Sequence, residues 1–444
     1  PQTALVLLVL LPLAGSVLVA TTLASRLPLG IAQLAWLALL AFGIPQAQLD
    51  LRISEYKGLS QALQVIDSRI LHQSSSPLGL ITVVDSPTVP VRHAPGLSFN
   101  TRHIPPEQLA VFTDADGMSA ITRFDGDPGS VAYLGDLTAA LPFSLLEKPA
   151  VLILGAGTGN DVLLSLYHDA SRVDAIELNP QMSALVAQTY ADFAGHVYDD
   201  PRVTVHTDEA RGFVARNSGK YDLIQIGLLD SFGASGAGVQ ALNESYIYTV
   251  EALREYLADL EPGGLLAITR WIKMPPRDSV KLLATTIEAL RQSGVHEPGR
   301  RIAMIRSWNT STLLVRNGDF ASPEIERIRE FARSRSFDTA YFPGMGTGEA
   351  NRFNQLAEPY VYDAAIALLG DRPGDFSERY KFYVEPATDD RRYVFHVFRW
   401  GTLPEVMALR KAGGAGLMVW GYLVLVGTFV QAAVLGLVVI LLPL

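Results

Sequence analysis

The apolar run Val151-Leu152-Ile153-Leu154 passes directly into Gly155-Ala156-Gly157-Thr158-Gly159 and then into a stretch that suits a helix to about His168. No other feature constrains the fold as much. The run has the length and composition of a buried strand, and the alternating glycines must turn the chain without side chains in the way. A turn of that kind between strand and helix lets backbone N–H groups approach a ligand closely. Gly155, Gly157, Thr158 and Gly159 are therefore candidate nucleotide-binding residues.

The strand–helix alternation continues after this turn. Val173-Asp174-Ala175-Ile176-Glu177 reads as a second strand, and Asn179-Pro180 supplies the N-cap and first residue of the next helix. Val203 to His206 and Tyr221 to Gly227 give a third and fourth strand. A helix over Val250 to Leu260 ends at Glu261-Pro262-Gly263-Gly264, ahead of a fifth strand, Leu265 to Thr269. This spacing predicts an α/β, Rossmann-like, doubly wound and mainly parallel sheet. Glu177 closes the second strand about 20 residues after the glycines, where an acid can accept from both ribose hydroxyls. Asp208 and Glu209 end the third strand, where an acid can accept from an adenine amino group. The spacing Gly-x-Gly-x-Gly, with an acid there, leans toward an S-adenosyl nucleotide rather than a dinucleotide.

Residues 49–149 read as a small β-rich subdomain, with a strand at Leu80 to Val84, a turn at Asp114 to Gly117, a strand at Ser119 to Thr122 and a short helix over Leu137 to Leu146. Residues 150–400 hold the Rossmann-like domain and a C-terminal extension. In the extension, Ile302 to Val315 suits a hairpin, Ser322-Pro323 opens a helix through Arg333, and Tyr393 to Phe398 is strand-like.

Composition places the ends apart from this middle. The chain is 49% hydrophobic and only 18% charged, and the bias is concentrated in uncharged runs at 4–24, 27–48 and 413–444. About 20 apolar residues cross the hydrocarbon core as a helix. Two transmembrane helices are expected in 1–48 and one in 413–444, in an excerpt from a larger polytopic protein. A signal peptide fits the first run poorly, because it lacks a basic start and a second apolar run follows. Arg52, Lys57 and Arg69 on one side, and Arg399, Arg410 and Lys411 on the other, flank the middle. They predict a multi-pass membrane location with the soluble domain in the cytoplasm. A net charge of -9 argues against nucleic acid as a partner. With 0 Cys and 8 scattered His, no metal site is expected.

Taken together, the glycine turn, Glu177, Asp200-Pro201-Arg202, Asp208, Tyr221-Asp222-Leu223-Ile224, Asp230 and Glu261-Pro262-Gly263-Gly264 resemble the spermidine synthase (polyamine aminopropyltransferase) family. That family lies within the Rossmann-like S-adenosylmethionine-dependent transferases. Ser54-Glu55-Tyr56-Lys57-Gly58-Leu59 and Thr388-Asp389-Asp390-Arg391-Arg392-Tyr393 resemble its bacterial membrane-embedded branch. The resemblance implies a transferase that moves an aminopropyl group from decarboxylated S-adenosylmethionine, as co-substrate, to putrescine or another polyamine. It also implies methylthioadenosine as co-product, carboxylates that hold the amine, no metal, and a membrane setting compatible with a homo-oligomer. The sequence departs from the family pattern at named places. Thr158 stands where the family's turn has an acid, and Asp161 is close by but not equivalent. The first acid of the family's loop after the fourth strand falls on Gly227, and the second on Asp230, the candidate catalytic residue. Asp136 takes the acidic place ahead of the core, and Tyr246, with Tyr248, suits either an acceptor pocket or the core. Two further readings share the core: an S-adenosylmethionine-dependent methyltransferase, which Thr158 suits, and a non-catalytic nucleotide-sensing domain coupled to a transporter-like membrane part.

Overall fold

The computed structural model describes residues 53–217, 219–229, 245–405 and 417–437. Residues 56–444 group as one compact unit.

The chain first forms α1 (Gly58–Ala62) and a meander of four antiparallel strands, β1 (Arg69–Ser76), β2 (Gly79–Asp85), β3 (Gln108–Thr113) and β4 (Gly117–Thr122). Between β3 and β4, Asp114 and Ala115 take φ of 51° and 63°, the mirror-image turn that suits a tight hairpin. Two 3-10 segments follow, Pro128–Asp136 and Thr138–Ser144. The short helix expected over Leu137 to Leu146 is the 3-10 helix Thr138–Ser144, in keeping with Pro142 inside it, which has no N–H to donate.

β5 (Ala150–Leu154), β6 (Arg172–Glu177), β7 (Val203–Thr207), β8 (Tyr221–Ile226) and β9 (Leu260–Trp271) then build a parallel sheet in the order β7-β6-β5-β8-β9. It is extended by β11 (Thr310–Arg316), β10 (Ile302–Arg306) and β12 (Asp338–Tyr341), each antiparallel to its neighbour. The expected Rossmann-like sheet is therefore present as a mixed sheet of eight strands. The Glu261-to-Gly264 run is not the linker expected from its Pro and Gly. It lies inside β9, which meets β8 with a register irregularity there.

Alternation along β5 explains the layers. Val151 and Ile153 point to one core, shared with Val162 and Leu163 of α2 (Asn160–Tyr167), Met182 of α3 (Pro180–Ala184) and Phe331 of α7 (Ser322–Ser334). Leu152 and Leu154 point to the other, shared with Val214 of α4 (Ala210–Arg216), Leu253 of α5 (Val250–Ala258), Leu283 of α6 (Asp278–Gln292) and Val361 of α8 (Tyr360–Leu369). Each such aliphatic side chain contributes roughly 1.5–3 kcal/mol on full burial. Both faces are covered, as a parallel sheet requires.

Tyr393 to Phe398 does not form the expected strand. The buried Lys281 of α6 instead donates from Nζ to the carbonyls of Tyr393 and His396, at 3.1 and 3.0 Å, and this holds the segment in turns. Asp389 is likewise structural. It takes both Nη groups of Arg211, at 2.6 and 2.8 Å, and the Thr249 hydroxyl.

The apolar runs at 4–24 and 27–48 lie outside the described residues. The third is described in part, as the helix α9 (Leu417–Gly436). Among the described residues no helix is long and apolar enough to cross a membrane, so the expected membrane location is corrected.

The glycine turn is tied to the meander by Asn160. Its Nδ2 donates to Ala120 O and its Oδ1 accepts from Thr122 Oγ1, each at 2.8 Å. Replacing Asn160 by Ala is expected to cost about 1 kcal/mol of stability, seen as a lower urea unfolding midpoint, because its bonds to Thr122 and Ala120 are lost while Thr122 Oγ1 keeps Gln108 and Tyr133. An unchanged midpoint would mean that the link carries no stability.

Candidate functional site

The C-terminal ends of β5, β6, β7 and β8 lie along one edge of the sheet, and the order in which the chain lays down its strands reverses between β5 and β8, which run parallel. In open α/β sheets, ligands bind outside that edge at such a switch point.

Gly155, Gly157 and Gly159 follow β5 with φ of 87°, 53° and 84°. All three are left-handed, a conformation that costs any residue with a Cβ. A Cβ on Gly155 would also overlap the Leu229 side chain. The Gly155 and Ala156 amides are spent on Ile176 O. Gly157 N donates instead to Glu177 Oε2 at 2.8 Å, and Asn179 N donates to Oε1 at 2.8 Å. Glu177 is half-buried, with both oxygens fixed by backbone amides and lone pairs left for a ligand. Thr158 is buried.

At the end of β7, Asp208 is half-buried and ion-paired with Arg216, which holds its carboxyl below the usual carboxylate range. Glu209 faces away from a ligand role: as N-cap of α4 it accepts from Arg211 N and Gly212 N. Glu177, Asp208 and the glycine turn share one sheet edge, and Glu209 sits beside them as a cap.

The remaining residues are dispersed. Asp136 accepts from Thr101 Oγ1 at 2.6 Å, pairs with Arg335 at 3.3 Å and lies 3.0 Å from His103 Nδ1. Tyr246 is exposed, under the Arg392 guanidinium at 5.3 Å, whereas Tyr248 is buried in the core. Asp230 lies outside the described residues. Among the described residues, no group of three His, Asp or Glu side chains could hold a metal ion.

Three neighbours of the turn were not among the sequence candidates. Tyr198 donates to Gly157 O at 3.2 Å; burial, with the Glu177 and Asp161 carboxylates nearby, pushes its phenol pKa up. Asp161, in the first turn of α2, accepts from Gln225 Nε2 at 2.7 Å, and burial raises its carboxyl to about 6. Gln225 was visible in principle, as a polar residue inside the apolar strand Leu223-Ile224-Gln225-Ile226.

A parallel core with a glycine turn after its first strand and an acid at the end of the second defines the class: a Rossmann-like α/β fold with a nucleotide-type crevice. No protein-family model matches the chain. The chain is 33% identical over 151 residues to a polyamine aminopropyltransferase of Clostridium perfringens, covering 34% of this chain and 50% of the relative. It is 29% identical over 100 residues to a polyamine aminopropyltransferase of Streptococcus pneumoniae, covering 22% of this chain and 35% of the relative. The chain thus spans half or less of the length of these relatives. A solved spermidine synthase in complex with the transition-state analogue AdoDATO is similar at 15% identity and a TM-score of 0.40, over 70% of this chain and 86% of that one. Over these stretches the chain is similar to polyamine aminopropyltransferases.

Proposed function

We propose that this chain is a spermidine synthase-like transferase that moves an aminopropyl group from decarboxylated S-adenosylmethionine to a small amine such as putrescine. The observation that carries the reading is the Glu177 carboxylate, held by the Gly157 and Asn179 amides beside a glycine turn at the switch point. The names of the sequence relatives support the same reaction. In this reading residues 49–149 form the small β subdomain and residues 150–400 the nucleotide-binding domain with its extension. Gly155, Gly157, Thr158 and Gly159 line the donor, Glu177 takes the ribose hydroxyls and Asp208 the adenine edge, with Glu209 steadying that loop. Asp136 and Tyr246 face the acceptor.

The chemistry needs alignment and a proton acceptor. The acceptor amine, once neutral, attacks the methylene beside the sulfonium. A C–N bond forms, the C–S bond breaks, and its electron pair returns to sulfur as methylthioadenosine leaves. Holding both substrates in line supplies much of the rate, and a carboxylate takes the proton. Asp230, which falls on the second acid of the family's motif, would hold the acceptor's charge. Asp230→Asn is expected to slow turnover about tenfold with donor affinity unchanged, measured by initial rates and calorimetry. Equal rates would remove Asp230 from the site.

Thr158 favours a second reading, methyl transfer from S-adenosylmethionine, because an uncharged residue stands where a donor amine would meet an acid. Mass spectrometry of products from both donors with a polyamine panel separates the two. The proposal expects an aminopropylated amine with methylthioadenosine. A methylated amine supports the second reading, and donor binding without product supports a nucleotide sensor.

A further inference from the structure

We propose that Asp161 is the carboxylate that meets the acceptor amine and takes its proton, from the opposite wall of the crevice to the one that ends β8. The inference rests on the aminopropyl-transfer reading and deepens it.

Gly227 follows β8 directly and is buried. A Cβ at Gly227 would overlap Oδ2 of Asp161 and stand 3.2 Å from its Cγ. The two positions therefore share one volume, and the chain fills it with an acid from α2 while leaving the β8 side bare. Gln225, 1% exposed, fixes the plane of the carboxylate by donating to Oδ1 at 2.7 Å. Its own Oε1 has no partner, so among the described residues its side chain serves Asp161 alone. Oδ2 accepts no hydrogen bond, and Asp161 has no ion pair, among the described residues.

The order of the strands says what this oxygen would meet. Asp208 ends β7, Glu177 ends β6, the glycine turn ends β5 and Gly227 follows β8, which is their order along the sheet edge. An adenosyl group with its base toward Asp208 and its ribose on Glu177 directs its sulfonium past the glycine turn, toward Asp161. That is where the attacking nitrogen has to stand.

A purely structural Asp accounts for this poorly. Half-buried and without a cation, it carries a desolvation cost that an Asn making the same bond to Gln225 would avoid. Burial also raises its carboxyl to about 6, which suits a base working near neutrality. The acceptor ammonium gives one proton to Oδ2, and the neutral nitrogen attacks the methylene carbon. The C–S pair returns to sulfur, and Asp161 later releases its proton to water.

The test uses the full chain as wild type, as Asp161→Asn and as the double variant Asp161→Ala with Gly227→Asp, which rebuilds the acid from the opposite wall. Each is titrated by calorimetry with decarboxylated S-adenosylmethionine and, separately, once loaded with the unreactive co-product methylthioadenosine, with putrescine. Asp161→Asn is expected to bind donor within about threefold of wild type and putrescine at least about tenfold more weakly. The double variant is expected to recover most of the putrescine affinity. Unchanged putrescine affinity in Asp161→Asn, an equal loss for donor and amine, or a loaded wild type that takes no putrescine overturns the inference. A wild type that takes up no donor at all defeats the underlying transfer reading instead.

Discussion

Glu177→Ala is expected to weaken S-adenosylmethionine binding about 100-fold, read by calorimetric titration. The size follows from the chemistry of the position. A carboxylate accepting from two ribose hydroxyls makes charge-assisted bonds, each contributing roughly 1.5–3 kcal/mol, so losing the pair removes close to 3 kcal/mol or more. The Gly157 and Asn179 amides, which now donate to Glu177 at 2.8 Å, would turn to water and cost the fold only about 1 kcal/mol. Glu177→Gln should fall between, since its NH2 group must oppose one of those two amides. Wild-type affinity in Glu177→Ala would show that the ligand does not lie across the end of β6.

The second large effect concerns stability and runs opposite to function. Asp161→Asn is expected to stabilise the chain at pH 8 by up to about 3 kcal/mol and to have almost no effect near pH 3.5. The folded carboxyl is raised from 3.8 to about 6 by burial, with the Gln225 bond opposing the shift. Below the unfolded value both states hold the proton and there is no penalty. As pH rises through the folded value the native state must ionise a poorly solvated acid, so stability is lost between about pH 4 and 6 and stays lost above. Asn has no charge to desolvate and keeps the bond to Gln225. Solvent reaching the half-buried side chain makes the full figure an upper bound. Urea midpoints of both proteins from pH 3.5 to 8 check this; parallel curves across the whole range would contradict the assignment.

The legible parts of the sequence were those whose local chemistry agreed with their final surroundings. β5, β6, β7 and β8 are short apolar runs with a glycine turn or an acid at the end, and they form close to where their patterns put them. Asn179 caps α3 through Gln181 N at 3.0 Å, as Asn-Pro implied. Other elements were hidden because their pattern answers to distant partners. α6 is buried on almost every side, and Ser279, Lys281, Thr285 and Thr286 inside it mask any apolar stripe. Tyr393 to Phe398 alternates like a strand, but Lys281, more than a hundred residues away, claims its carbonyls. The membrane location drawn from the apolar ends did not hold, since no described helix is long and apolar enough to span. In the site, Glu177 could be read from its distance to the glycines. Asp161 could not, because its meaning depends on Gly227, which only the pairing of β5 with β8 brings alongside.

The central claim is that the edge formed by β5 to β8 holds an S-adenosyl nucleotide, and calorimetric titration of the full chain tests it most directly. Decarboxylated S-adenosylmethionine is expected to bind saturably at one site per chain, with NAD giving no heat under the same conditions. NAD binding as tightly as the adenosyl donors, or no heat from either adenosyl donor, would contradict the account at its foundation.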